Sequence, residues 1–189
     1  MNKLAPVLLL FLGVAAFAEL SEIKKVEKTY RQTETLTAEF VQSTFVPILD
    51  KTITRPGRLF YQKGGKLRIE YAGKQMTHYI TDGKTLWIKN PQTNETQTVP
   101  ISNGELPKEA LKFLVEMENL STYFKIAPQK KSYKLTPKKK TTYRHLIAVF
   151  GEDHYVEGLT LHTNEGNTSE YRFFNRKPNI KLSEKLFRP

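Results

Sequence analysis

The spacing of apolar positions changes three times along the chain. In "ELSEIKKVEKTYRQTETL" (19–36), Leu20, Ile23, Val26 and Tyr30 recur at intervals of 3, 3 and 4, with charged residues between them. That period predicts an amphipathic helix with one apolar stripe. Ser21 is the expected N-cap, and Glu22 suits the first turn. From "LTAEFVQSTFV" (36–46) onward, β-branched and aromatic residues dominate and the period falls to two. "RLFY" (58–61), "KLRIEY" (66–71), "QMTHYIT" (75–81), "KTLWIK" (84–89) and "ETQTVPI" (95–101) follow as strands, with Gly64-Gly65 and Gly73 as turn signals. "LPKEALKFLVEMENLSTYF" (106–124) returns to a helical pattern that is apolar nearly all round, so more than one side of it needs covering. "YKLTP" (133–137), "HLIAVFG" (145–151), "GLTLHT" (158–163) and "SEYRFF" (169–174) complete the strands. Many short strands plus two helices predict an α+β fold built on an antiparallel sandwich or barrel.

One stretch, "TDGKTLWIKNP" (81–91), holds the single tryptophan between two turn signals. Asp82-Gly83 favours a two-residue type I′ hairpin. That register pairs Thr81 with Lys84, Ile80 with Thr85, Tyr79 with Leu86 and His78 with Trp87. One face then carries Tyr79, Leu86 and Ile88; the other carries Met76, Ile80 and Trp87. Both faces are apolar, so one can meet a core while the other needs a helix or a ligand. A one-residue slip would exchange Trp87 for Leu86.

The N-terminus, "MNKLAPVLLLFLGVAAFAE", has one charge at Lys3, an apolar run from Leu4 to Phe17 and a small-x-small end at Ala16-Phe17-Ala18. This is the pattern of a secretory signal peptide, too short to span a bilayer, which takes about 20 apolar residues. Cleavage is expected after Ala18, leaving 189 − 18 = 171 residues as a single domain, 19–189. The chain has no cysteine, so it forgoes disulfides and cannot carry an N-terminal lipid on a cysteine. Its net charge is +11, or +10 without Lys3. Export makes nucleic acid an unsuitable partner for that charge and leaves an anionic membrane surface, an acidic protein or plain solvation. The basic runs are Lys130-Lys131, Lys138 to Lys140 and Arg176-Lys177.

Chemistry is sparse. His78, His145, His154 and His162 sit in separate strands or turns, without metal-ligand spacing. "GEDHY" (151–155) reads as a solvated hairpin tip. No nucleophile elbow, P-loop or dinucleotide fingerprint is present. The chain is therefore expected to be no enzyme, with no catalytic residue, metal or cofactor.

Several stretches together resemble the periplasmic lipoprotein carrier family, LolA. They are "TAEFVQ" (37–42), "GRLFY" (57–61), "TDGKTLWIKNP" (81–91), "YKLTPK" (133–138) and the closing Phe187-Arg188-Pro189, in the family's order and spacing over nearly the whole mature chain. The resemblance implies an incomplete antiparallel β-barrel of about eleven strands with helices as a lid over an apolar cavity. It implies a soluble, monomeric periplasmic chaperone that takes lipoprotein acyl chains and shuttles them from the inner to the outer membrane. The implied partners are lipidated outer-membrane lipoproteins and an inner-membrane ABC-type lipoprotein-releasing complex; the sequence does not indicate the outer-membrane acceptor. The expected cavity residues are Phe40, Leu67, Ile69, Met76, Ile80, Leu86 and Trp87 from strands, with Leu111, Leu114 and Val115 from the second helix. Phe40, Leu67 and Ile69 also fit the family's apolar positions. Where many relatives carry Arg-Pro as a lid latch, this chain has Lys63-Gly64, which makes Lys63 the candidate latch; Arg55-Pro56 lies nearby but out of register. The chain also ends at Pro189, where many relatives continue with a further loop and strand tied to cargo retention. A lipid- or lipoprotein-sensing regulatory module of the same fold is the alternative reading.

Overall fold

The computed structural model describes residues 10–73, 76–100, 113–114 and 117–189. Helix α1 (Leu10–Arg31) leads into strands β1 (Thr35–Val46), β2 (Lys51–Gln62), β3 (Lys66–Tyr71), β4 (Thr77–Thr81), β5 (Thr85–Asn90) and β6 (Glu95–Pro100). A short helix, α2 (Leu120–Tyr123), precedes β7 (Phe124–Gln129), β8 (Ser132–Pro137), β9 (Tyr143–Phe150), β10 (Val156–Thr163) and β11 (Thr168–Pro178). The strands form one 11-stranded antiparallel sheet in the order β6-β5-β4-β3-β2-β1-β11-β10-β9-β8-β7. Among the described residues β6 and β7 are its two edges, so the barrel stays open.

One alternation runs across the sheet, interrupted by register shifts at Thr37/Glu39, Val156/Gly158 and His162/Thr163. In β3, Leu67, Ile69 and Tyr71 are buried and Lys66, Arg68 and Glu70 are not. The pairings carry that parity outward: Leu59 sits opposite Ile69, Ala38 opposite Leu59, Phe40 opposite Phe173, and Leu159 opposite Tyr171. The buried face is thus one continuous apolar surface from β4, through Tyr79, to β7, and α1 packs on it through Val26 and Tyr30. The opposite face is mixed: Val41, Ile147, Val149 and Phe174 lie on it among polar residues, and the C-terminal tail covers part of it. There the 3-10 turn Glu184–Phe187 lies on β3. It is held by Lys66 Nζ to Glu184 Oε2 at 2.6 Å and by Arg68 Nη1 to the Leu186 carbonyl at 3.1 Å. That cover accounts for Ile80 and Phe187, which are 0% and 1% exposed yet outside the main core.

The structure corrects several expectations. α1 ends at Arg31, not residue 36, because the Thr33 hydroxyl turns back to the Thr29 carbonyl at 2.8 Å and β1 takes over at Thr35. Helix α1 already runs from Leu10, so Ser21 is interior to it rather than its N-cap. Residues 106–112 and 115–116 of the second predicted helix lie outside the described residues. Within them, Met117–Asn119 is a 3-10 turn, α2 is a single turn, and Phe124 opens β7, a strand the apolar periodicity concealed. β2 begins at Lys51 rather than Arg58 and contains Pro56. Proline is tolerated there because its missing N–H points to the β3 side, where β3 has already ended and only Ala72 N–H reaches the Pro56 carbonyl, at 2.9 Å.

The hairpin around the tryptophan also differs from expectation. Thr81 pairs with Leu86, Ile80 with Trp87 and Tyr79 with Ile88, two residues out from the predicted register. Asp82 Oδ1 accepts from both the Lys84 and Thr85 N–H at 2.9 Å, so the turn spans four residues. Those bonds hold the Asp82 carboxyl below its ordinary range. A slip of two preserves the faces: Tyr79, Leu86 and Ile88 share the inner one, Ile80 and Trp87 the outer one.

Candidate functional site

The inner face can be built outward from Phe40. Its ring lies across Gly57, its partner on β2, where an added Cβ would run into the Phe40 ring and come within 2.7 Å of the Glu70 carbonyl. Tyr71 meets Phe40 edge-on at 5.4 Å and 86°, Phe173 lies at 5.9 Å, and Tyr79 stands edge-on to Tyr71 at 6.0 Å. The Tyr71 hydroxyl donates to Gln42 Oε1 at 2.6 Å, and the Arg55 guanidinium sits 4.2 Å from its ring centroid. Burial raises the phenol pKa of Tyr30, Tyr61 and Tyr71, that of Tyr61 to about 12 with help from Glu118 and Glu34. These phenols therefore place no charge on the face at neutral pH.

Helix α1 and the chain around α2 cover this surface, joined to it by polar contacts at their margins. The Lys63 ammonium donates to the Arg31 carbonyl, the last of α1, at 2.8 Å, and to Glu34 Oε1 at 3.1 Å. Glu27 Oε1 accepts from the Ser121 N–H at 2.7 Å, supplying α2 with the N-terminal acceptor that Asn119 does not provide. Arg31 Nη1 donates to the Glu118 carbonyl at 2.8 Å. On the other flank, the Val156 N–H reaches the Tyr30 hydroxyl at 3.2 Å, and the Thr33 and Tyr155 hydroxyls lie 2.8 Å apart.

A cleft of about 820 Å³ opens between α1 and the β7–β10 side of the sheet. Val26, Tyr133 and Phe150 give it an apolar floor continuous with the inner face. Its rim is charged, with Lys130 and Lys131 on one side and Asp153, Glu157 and Arg176 on another. Arg176 Nη2 holds Asp153 at 3.0 Å and Glu157 at 3.2 Å, while Glu22 of α1 faces His154 at 3.8 Å.

The sequence-derived residues divide between two faces. Phe40, Leu67, Ile69 and Leu86 are buried on the inner face, and Leu114 belongs to the same core. Ile80 and Trp87 alternate to the outer face, so they do not wall the inner one. Met76 is half-buried and precedes β4. Leu111 and Val115 lie outside the described residues. The cleft residues Tyr133 and Phe150 were missed, although both sit at the apolar phase of strands that the sequence had marked. The structure also brings His145 and His162 together across β9 and β10, ring centroids 4.5 Å apart on the outer face, a pairing that sequence distance hid. Burial first, and then His162, lower the His145 pKa. Among the described residues no group of three or more histidines and carboxylates is placed to hold a metal ion.

The sequence profile of the outer membrane lipoprotein carrier protein LolA matches residues 31–189. The fold is similar to that of a LolA superfamily protein from Nitrosomonas europaea, with a TM-score of 0.52 and 10% identity over 90% of this chain and 97% of that one. An outer membrane lipoprotein-sorting protein domain from Vibrio parahaemolyticus gives 0.51 and 12% over 89% and 95%. A DUF1329 family protein from Desulfovibrio piger gives 0.50 and 10% over 90% and 96%. Identities this low speak for the fold alone. Among curated proteins, none matches. No helix among the described residues is long and apolar enough to cross a membrane.

Proposed function

The chain belongs to the LolA family of outer membrane lipoprotein carriers, and from that premise we propose that it shuttles lipidated proteins across the periplasm, with their acyl chains lodged between α1 and the inner face of the sheet. The observation that carries this reading is the continuous apolar face from β4 to β7, covered by a helix whose margins are polar and partly solvated. Residues 1–18 act as the export signal, leaving 19–189 as the working domain.

The energetics suit a carrier. Each buried CH₂ contributes about 0.8 kcal/mol, so a three-chain anchor resists leaving a bilayer by tens of kcal/mol. A shuttle must replace that apolar surface without adding a strong bond of its own. Lifting α1 exposes Val26 and Tyr30 and the inner face together, and acyl chains restore both. At the Lys63 end the contacts broken are solvated, with Lys63 39% and Glu34 71% exposed, and such pairs contribute about 0–1 kcal/mol each. On the other flank the Tyr30–Val156 and Thr33–Tyr155 hydrogen bonds are buried, so α1 opens most readily from its Lys63 end.

In this reading Phe40, Leu67, Ile69 and Leu86 wall the cavity. Leu114 belongs to its lid, Met76 to its margin, and Lys63 latches the C-terminal end of α1. The cleft floored by Val26, Tyr133 and Phe150 is where chains enter. No covalent step is required of the carrier. The ABC-type releasing complex supplies cargo from the inner membrane, and an outer-membrane acceptor takes it. The test is release of labelled lipoprotein from inner-membrane vesicles carrying the transporter, in the presence of ATP. The reading expects lipoprotein to move into the soluble fraction with the protein, and fails if none does.

A further inference from the structure

The β1–β2 hairpin outruns its neighbours. β11 pairs with β1 only as far as Phe45, and β3 pairs with β2 only from Gly57. Residues 46–51 therefore project beyond the sheet. At the tip a 3-10 turn, Pro47–Leu49, is closed by the Asp50 N–H on the Pro47 carbonyl at 3.1 Å, with Asp50 left-handed at φ 44°. This turn holds two aliphatic side chains next to each other in solvent: Ile48 is 91% exposed and Leu49 63%. Below the tip, Phe45 and Ile53 are 41% and 43% exposed on opposite faces of the hairpin, Phe45 paired with Thr52 and Ile53 with Thr44.

Ile48 buries almost nothing within this chain and Leu49 little, whereas the main core packs large apolar residues from β4 to β7. Two adjacent aliphatic side chains held in solvent by a well-formed turn mark a surface that works against something else. Its surroundings indicate what. The strands alternate in direction, so the β8–β9 turn carrying Lys138, Lys139 and Lys140 opens at the same end of the sheet, and Lys51 adjoins the tip itself. Among the described residues Asp50, Glu95 and Glu165 lie at that end with Lys51 and Lys138 to Lys140, in a chain of net charge +11. A narrow aliphatic point with cations set back from it matches the depth profile of an anionic bilayer, apolar inside and negative at the headgroups.

We propose that the β1–β2 tip is a bilayer contact, in which Ile48 and Leu49 enter the acyl boundary while Lys51 and the Lys138–Lys140 turn meet anionic headgroups. The tip lies outside the inner-face core, so the inference does not depend on where cargo binds.

The chain has no cysteine, so a single introduced thiol takes a label cleanly. An environment-sensitive fluorophore on Ile48→Cys is compared with the same fluorophore on Lys130→Cys, in the β7–β8 turn at the opposite end. On addition of phosphatidylethanolamine–phosphatidylglycerol vesicles, the label at position 48 shifts to the blue with severalfold higher emission, and the label at 130 does not change. Pure phosphatidylcholine vesicles or high salt weaken the effect. The double variant Ile48→Asp, Leu49→Asp loses vesicle binding by about tenfold or more, with unchanged thermal melting and unchanged uptake of a fluorescent fatty acid. No shift at position 48, or wild-type vesicle binding by the double variant, overturns the proposal. A shift seen only with a detergent-solubilised membrane protein and not with lipid overturns it in favour of a protein partner. Loss of lipoprotein release with the tip response intact would instead refute the carrier reading and leave this one standing.

Discussion

Phe40 and Gly57 face each other across β1 and β2, and the phenyl ring of the first occupies the space a side chain on the second would need. The glycine is therefore a packing requirement of the inner face rather than a turn signal. Gly57→Ala displaces Phe40, and with it Tyr71 and Phe173. Overpacking of this kind costs about 1–3 kcal/mol. Urea unfolding should show a lower midpoint with an unchanged slope; an unchanged midpoint would mean that the ring is free to move aside.

Lys63 sits where α1 ends. Lys63→Ala should leave global stability within about 1 kcal/mol, because the pair is solvated. Amide exchange at Gln32 and Thr33, which close the last turn of α1, should quicken, and uptake of a fluorescent fatty acid should speed up with it. Lys63→Arg should restore slow exchange. Unaltered exchange in Lys63→Ala would show that the ammonium holds nothing shut.

The fold should lose stability in mild acid. His78 Nδ1 lies 3.1 Å from Arg68 Nη2, which requires a neutral ring. Burial lowers its pKa below 6.5; Arg68, Lys89 and Arg58 reinforce this and Glu70 opposes it. The unfolded chain then binds this proton more readily than the folded one. The stabilisation is complete above pH 6.5 and declines as pH falls through that value toward the lower folded pKa. Melting temperature should drop between about pH 7 and pH 5, less steeply in His78→Gln, with His145 supplying part of what remains. An identical slope in the variant would assign the effect elsewhere.

The single tryptophan offers a negative control. Trp87 pairs with Ile80 on the outer face, away from the proposed cavity. Loading with a fatty acid should leave its emission maximum unchanged, while Ile69→Trp in a Trp87→Phe background should shift to the blue. A large shift at Trp87 would place ligand on the wrong side of the sheet.

What the sequence revealed follows from how local each determinant is. The alternation in "KLRIEY" fixed β3 to the residue, because period two is a property of six neighbouring side chains. Asp82-Gly83 announced a turn but not its size, since the bonds from Asp82 Oδ1 to Lys84 and Thr85 form only in the folded loop. The faces survived the error because the slip was even. β7 was hidden behind an apolar stretch that reads equally as helix, and the first half of β2 behind Pro56 and Gly57. Both residues are accommodated by partners distant in sequence: the end of β3 and the ring of Phe40. The cleft between α1 and β7–β10 joins residues from Glu22 to Arg176, and no local pattern records such a meeting.

The central claim is that acyl chains lie against the inner face beneath α1. It is tested most directly by placing a photo-crosslinking amino acid at Ile69 on the inner face and, separately, at Trp87 on the outer face, then irradiating each carrier after loading with a lipoprotein bearing radiolabelled acyl chains. Label should attach at position 69 and not at 87. Label at 87 with none at 69, or at neither in a carrier that still holds lipoprotein in solution, would contradict the account.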